Sequence, residues 1–297
     1  MVAVATVALG SPAVAAKADD GAPPQSVVSM NLCTDQLAML LAAPGQLISV
    51  SYLAHKADTS TMAGAAAAYP ANHGRAEEIF LLEPDLVVGG VYTSQATVAM
   101  LRRLGYAVET FEPAYSFAAV RANIRRMGAL LGRADQAEAL VAAFDAELAS
   151  VEAGERAPPR LALYYANSYT SGVGTLADEV VGAAGFANIA RELGFEGTLK
   201  LPLESLVMAA PDVVVGKDAG RAAAGRAHEH YAHPALRRAT DGALMASVAD
   251  KYWICGGPFT AEAVRLLADE RAAEPHSPSS TSEPAPAQSE LRKARPK

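Results

Sequence analysis

One pattern is written twice in this chain, with its two copies 127 positions apart. Glu77-Glu78-Ile79-Phe80-Leu81-Leu82-Glu83-Pro84-Asp85-Leu86-Val87-Val88-Gly89 returns as Glu204-Ser205-Leu206-Val207-Met208-Ala209-Ala210-Pro211-Asp212-Val213-Val214-Val215-Gly216. Each copy sets a Glu seven residues ahead of a Pro-Asp pair and closes on a Val-rich run ending in Gly. Physically this is a short amphipathic helix, a turn that proline forces, and a fully buried strand. Two copies imply two similar lobes, and paired lobes commonly trap something between them.

The segments around the copies alternate in the same way. Val27 to Met30, Leu47 to Tyr52, Leu86 to Val88 and Tyr106 to Phe111 read as strands. Helical patterns at 34–41 and 97–104 separate them, which predicts a parallel sheet covered by helices. The second lobe repeats the scheme: strands over 160–165, 213–215 and 244–248, with helices over 176–184, 235–238 and 260–270. Between the lobes, 116–153 shows helical spacing only (Val120, Ile124, Met127, Leu130, Leu131, then Leu140, Val141, Phe144, Leu148). Gly132 leaves open one long helix or two in tandem; a single helix of about thirty residues would span ~45 Å, enough to cross between lobes. The expected organisation is thus a leader over 1–16, a linker over 17–25, an α/β lobe over 26–115, a connector over 116–153, a second α/β lobe over 160–270, and a disordered Pro/Ser/Glu-rich tail over 271–297.

Composition narrows the function. A net charge of −7 argues against nucleic acid, which requires a basic face. No internal apolar run is long enough for a membrane span. Val2 to Leu9 followed by small residues near Ala13 to Ala16 reads as an export leader, although no Lys or Arg precedes Lys17. No Cys follows that cleavage site to carry a lipid. The expected location is the periplasm. Cys33 and Cys255 are too few for a disulfide framework; they can pair, stay as buried thiols, or ligate a metal.

The order of strands and connector, the glutamate ahead of Pro-Asp, and the opening Val27-Val28-Ser29-Met30-Asn31-Leu32-Cys33-Thr34-Asp35-Gln36-Leu37 together resemble the helical-backbone (class III) substrate-binding proteins of ABC importers. Those proteins serve importers of iron-siderophore chelates, haem and cobalamin. The second-lobe stretch Thr175 to Val180, with Gly185-Phe186-Ala187-Asn188-Ile189, is similar to the family's Gly-to-Asn-Ile segment. The resemblance implies two Rossmann-like lobes with central parallel sheets, joined by a single long backbone helix. It implies a periplasmic protein, monomeric, that carries a metal chelate or corrinoid to an ABC permease dimer, with no resident cofactor. It also implies that Glu77 and Glu204 dock into basic pockets of that permease.

Ligands of α/β sheets bind beyond the carboxyl ends of the strands. The loops there hold Asn31, Cys33, Tyr52, His73, Arg75 and Tyr92 in the first lobe, and Tyr169, Tyr252 and Trp253 in the second. Aromatic faces with a few polar groups suit a large, flat or greasy chelate. Arg75, then Lys251, are the cations best placed for an anionic ligand, and a scarcity of cleft arginines keeps a neutral corrinoid open as the alternative. Cys33, Cys255, His55 and His73 could form a soft metal site but lack a ligand spacing, and His228 and His230 read as surface residues. No nucleophile elbow, phosphate loop or zinc-protease signature occurs, so an enzyme is not expected. The alternative that keeps the fold is a protein that sequesters or senses a chelate without a permease.

Overall fold

The computed structural model describes residues 22–151, 157–216, 243–246 and 248–273, with Pro234 and Leu236. The leader, the expected helix over 235–238 apart from Leu236, the His228 and His230 segment and the tail beyond 273 lie outside the described residues. The first lobe runs β1 (Val27–Ser29), α1 (Leu32–Leu41), β2 (Leu47–Ser51), α2 (Ala63–Ala66), β3 (Ala71–Asn72), α3 (Ala76–Leu81), β4 (Leu86–Gly90), α4 (Gln95–Arg103) and β5 (Ala107–Phe111). Its five strands are all parallel, in the order β3-β2-β1-β4-β5. The chain therefore winds outward in both directions from β1, leaving a crevice where β1 and β4 end side by side.

The second lobe contains β6 (Arg160–Leu163), β7 (Tyr169–Ser171), α7 (Leu176–Ala183), β8 (Ala187–Asn188), α8 (Ile189–Glu192), β9 (Thr198–Lys200), α9 (Leu203–Ala209), β10 (Val213–Val215), β11 (Leu244–Ala246) and α10 (Thr260–Ala273). Its parallel sheet has the order β11-β10-β6-β8, so its crevice lies between β6 and β10. A small antiparallel ribbon of β7 and β9 is added to it. The strands at 71–72, 187–188 and 198–200 carry no sequence signal of their own; two or three residues are too short to show a period.

The repeat has a structural reason. In the first lobe Asp85 accepts the backbone N–H of Ser26 at 2.9 Å and that of Gln25 at 2.9 Å, just ahead of β1. In the second Asp212 accepts the N–H of Arg160, the first residue of β6, at 2.7 Å. Each aspartate thus pins the incoming central strand to its neighbour. The residues ahead of the prolines, Glu83 and Ala210, share a left-handed backbone with φ of 46°. Proline disfavours continued helix there, so the helix ends and the chain turns into the strand.

The connector differs from a single long helix. It is a hairpin of α5 (Phe117–Leu131) and α6 (Ala134–Ala149), broken at Gly132, whose φ of 67° ends α5 in a left-handed cap. Arg121 bonds Asp145 and Arg125 bonds Glu138, which sets the helices antiparallel. Close approach is possible because Gly128 has no side chain: a Cβ there would lie 2.3 Å from Ala137 Cβ. The inner face of the hairpin (Val120, Ile124, Met127, Val141, Phe144) completes the first lobe's core. At its open end Phe117 and Leu148 also pack against the second lobe's core. The lobes are joined there, and Glu179 of α7 reinforces the joint by accepting the Phe117 N–H at 2.5 Å.

Candidate functional site

The two crevices face each other across a cavity of about 630 Å³. From the first lobe, the carboxyl ends of β1, β4 and β5 supply Asn31, Gly90 to Tyr92 and 111–115. From the second, the end of β6 supplies Tyr165 and Ala166, and the loop after β11 supplies Asp250 and 253–256. Leu37, Val91, Phe111, Leu176, Trp253 and Ile254 make the walls predominantly apolar. Glu112 and Asp250 are the charged residues of the lining; no Lys or Arg lines it among the described residues.

Asn31 is shaped by its place at the start of α1. Its Oδ1 accepts the Cys33 N–H at 2.9 Å and caps the helix, and its amide closes over Gly90, where a Cβ would lie 3.1 Å from Asn31 Nδ2. Tyr92 follows β4 and is 80% exposed, so its ring stands out into the cleft. Its phenol neighbours that of Tyr115, which lies past the end of β5. That neighbour, with partial burial and the nearby Glu112, raises the Tyr115 pKa above the usual phenol value.

Cys33 and Cys255 form a disulfide with Cα atoms 5.1 Å apart. The bond lies in the cleft lining and ties the first lobe to the second. This overturns the soft metal site: both thiols are consumed, and among the described residues no group of three or more His, Cys, Asp or Glu side chains converges to hold a metal.

Of the residues expected at the site, Asn31, Cys33, Tyr92 and Trp253 line the cavity, and Tyr52, His73, Arg75, Tyr169 and Tyr252 lie outside its walls. Tyr52 stacks on His73 with ring centroids 5.2 Å apart, beneath the ammonium of Lys56, at the ends of β2 and β3. Arg75 stands at the start of α3 near Glu78, which accepts the His73 N–H at 2.7 Å. Tyr169 sits under Lys200 and Tyr252 under Lys251, where Tyr252 packs on the second core. β2 and β3 lie on the side of β1 away from β4, and the residues that follow them are not part of the cavity lining. Tyr115, Glu112 and Ile254 were missed, although the segment after β5 is another carboxyl end and the same rule identifies it.

The periplasmic binding protein family model matches residues 27–238. No curated protein matches the chain in sequence. Among solved structures, the chain is similar to the apo periplasmic heme-binding protein RhuT of Roseiflexus sp. RS-1, at 24% identity and a TM-score of 0.69, covering 82% of this chain and 98% of that one. It is similar to the periplasmic heme-binding protein BhuT in complex with two hemes, at 26% identity and a TM-score of 0.67, covering 84% and 99%. The periplasmic vitamin B12 binding protein BtuF of Vibrio cholerae shares 18% identity at a TM-score of 0.62, covering 83% and 96%. These relatives bind substrates and are not enzymes. With its two facing switch-point crevices and a family match over most of its folded part, the chain belongs to the periplasmic binding proteins.

Proposed function

We propose that this protein captures a metal chelate in the cleft between its lobes and hands it to an ABC permease, and that the chelate is a metallotetrapyrrole. The observation that carries this reading is the Tyr92–Tyr115 phenol pair in an apolar cavity whose charged lining residues, among those described, are both acidic. Those carboxylates repel an anionic ferric catecholate. A hexadentate siderophore also leaves its iron no position for a phenol to occupy. A tetrapyrrole leaves its axial positions open and presents a flat, greasy face to Phe111, Leu176 and Trp253. Its polar edge groups would meet Asn31, Asn123 or solvent at the mouth. The heme complex of BhuT, on the same fold, supports this choice.

Delivery rests on Glu77 and Glu204. Both are exposed at equivalent positions of the repeat, one per lobe, and neither has a hydrogen bond or ion pair among the described residues. A monomer that presents two such carboxylates fits a permease dimer with two basic pockets. The rival reading keeps the chelate and omits the permease.

Titration with haemin and with cyanocobalamin, followed by absorption spectroscopy, tests the ligand. Haemin is expected to bind with a phenolate-to-iron charge-transfer band, and Tyr92→Phe to abolish that band and weaken binding at least about tenfold, ~1.4 kcal/mol. An unaltered spectrum in Tyr92→Phe, or a preference for cyanocobalamin, removes the haemin assignment. Haemin uptake that survives Glu77→Ala with Glu204→Ala points to sequestration.

A further inference from the structure

The two halves of the repeat leave the same positions bare. In α3, Ile79 is buried while Glu77, Phe80 and Leu81 are exposed; in α9, Leu206 is buried while Glu204, Val207 and Met208 are exposed. Residues three and four apart on a helix share one face, so each lobe displays a carboxylate beside two apolar side chains. Phe80 is 47% exposed and Leu81 79%; Val207 is 37% exposed and Met208 86%. Outside the cleft, Met208 and Leu81 are the most exposed large apolar side chains among the described residues. Isolated surface leucines need no explanation. Two that coincide at repeat-equivalent positions, each beside a glutamate with no side-chain partner among the described residues, do.

We propose that these faces are two halves of one docking surface, in which Leu81 with Phe80 and Met208 with Val207 seat in apolar recesses of a homodimeric membrane permease, each recess flanked by a basic group. The inference rests on the importer reading and goes beyond the glutamate contacts. Charge complementarity fixes the partner's basic group, since a carboxylate is the charged member of each face. The doubled arrangement fixes the partner's symmetry: two like faces on one chain engage two identical subunits. The division of labour follows from range. Exposed charges act over the Debye length and steer encounter, whereas apolar side chains act only in contact and set how long the complex lasts.

The test uses the full chain and its cognate permease in nanodiscs, without ligand, with association and dissociation rates measured separately. Leu81→Ser with Met208→Ser is expected to raise the dissociation rate about tenfold with little change in association. Glu77→Gln with Glu204→Gln is expected to slow association and to flatten its dependence on salt, because the steering charges are gone. Leu104→Ser, at a residue 43% exposed but outside both faces, serves as the control and should change neither rate. Thermal melts and haemin titration check that each variant is folded and loaded normally. A dissociation rate unchanged in the Leu81 and Met208 variant overturns the proposal while leaving the importer reading intact. Wild-type protein that fails to bind the permease at all removes the importer reading, and the docking surface with it. Self-association of the wild type that the same two substitutions abolish, seen by sedimentation, assigns the faces to a second copy of this chain and also overturns the proposal.

Discussion

At the scale of single residues, the carboxyl of Asp35 shows how a fold can carry a built-in cost. It is fully buried in α1 and accepts the Ser51 N–H at 3.0 Å and the Ser51 hydroxyl. Burial outweighs those bonds and raises its pKa from 3.8 to about 6. The folded state therefore favours the protonated acid more than the unfolded chain does. The contribution is complete below about pH 4 and is lost as pH rises through about 6, amounting to roughly 3 kcal/mol. Asp35→Asn should flatten that part of the profile. Urea unfolding at about pH 4 and about pH 7 is expected to show the variant gaining on wild type at the higher pH; an equal difference at both would refute the assignment. Residue roles were partly legible from sequence. Asn31, Tyr92 and Trp253 follow from the carboxyl-end rule, but the rule does not say which strand ends flank the switch point. That depends on strand order, a long-range property, so Tyr52 and His73 were grouped with Asn31 and Tyr92 although they lie outside the cavity lining.

At the scale of elements, the helical period over 116–153 identified helix but not its path. Gly132 permits a left-handed turn, and whether the chain uses it depends on what the two flanks can do face to face. Here Gly128 opposite Ala137, with the Arg121–Asp145 and Arg125–Glu138 pairs, makes the antiparallel arrangement fit. Gly128→Val should force the helices apart at a contact with no slack. A loss of about 1–3 kcal/mol is expected from overpacking, read as a lower urea midpoint at unchanged slope. Full retention of stability would mean that the helices do not meet there. The repeat, by contrast, was legible in full, because each copy holds its helix, its turn residues and its strand in one short unbroken stretch, Ala76 to Gly90 and Leu203 to Val215. The ribbon of β7 and β9 was not, since its pairing joins residues that sequence order keeps apart.

At the scale of the whole molecule, the features that join the lobes include the open end of the α5–α6 hairpin, the packing of Leu176 and Ala261 into the first core, the Glu179 bond to the Phe117 N–H, and the Cys33–Cys255 bond. With both the hairpin and a covalent tie, ligand entry should involve little relative motion. Scattering with and without haemin is expected to give the same radius of gyration within error. Cys33→Ser with Cys255→Ser removes the closure of a loop spanning 222 residues, for which chain entropy allows up to ~5 kcal/mol. A lowered melting temperature, with a wider distribution of apo shapes in scattering, is the expected result. Melting and scattering indistinguishable from wild type would show that the tie adds nothing the hairpin does not already provide.

That covalent tie also sets an order of events. One sulfur sits near the beginning of the folded part and the other shortly before its last helix. Nearly the entire polypeptide must emerge, in surroundings that oxidise thiols, before the ring can close. A finished cleft is then a late product of maturation, and a copy that stays in a reducing compartment keeps two free thiols in the cleft wall, with its lobes held only by non-covalent contacts such as the hairpin.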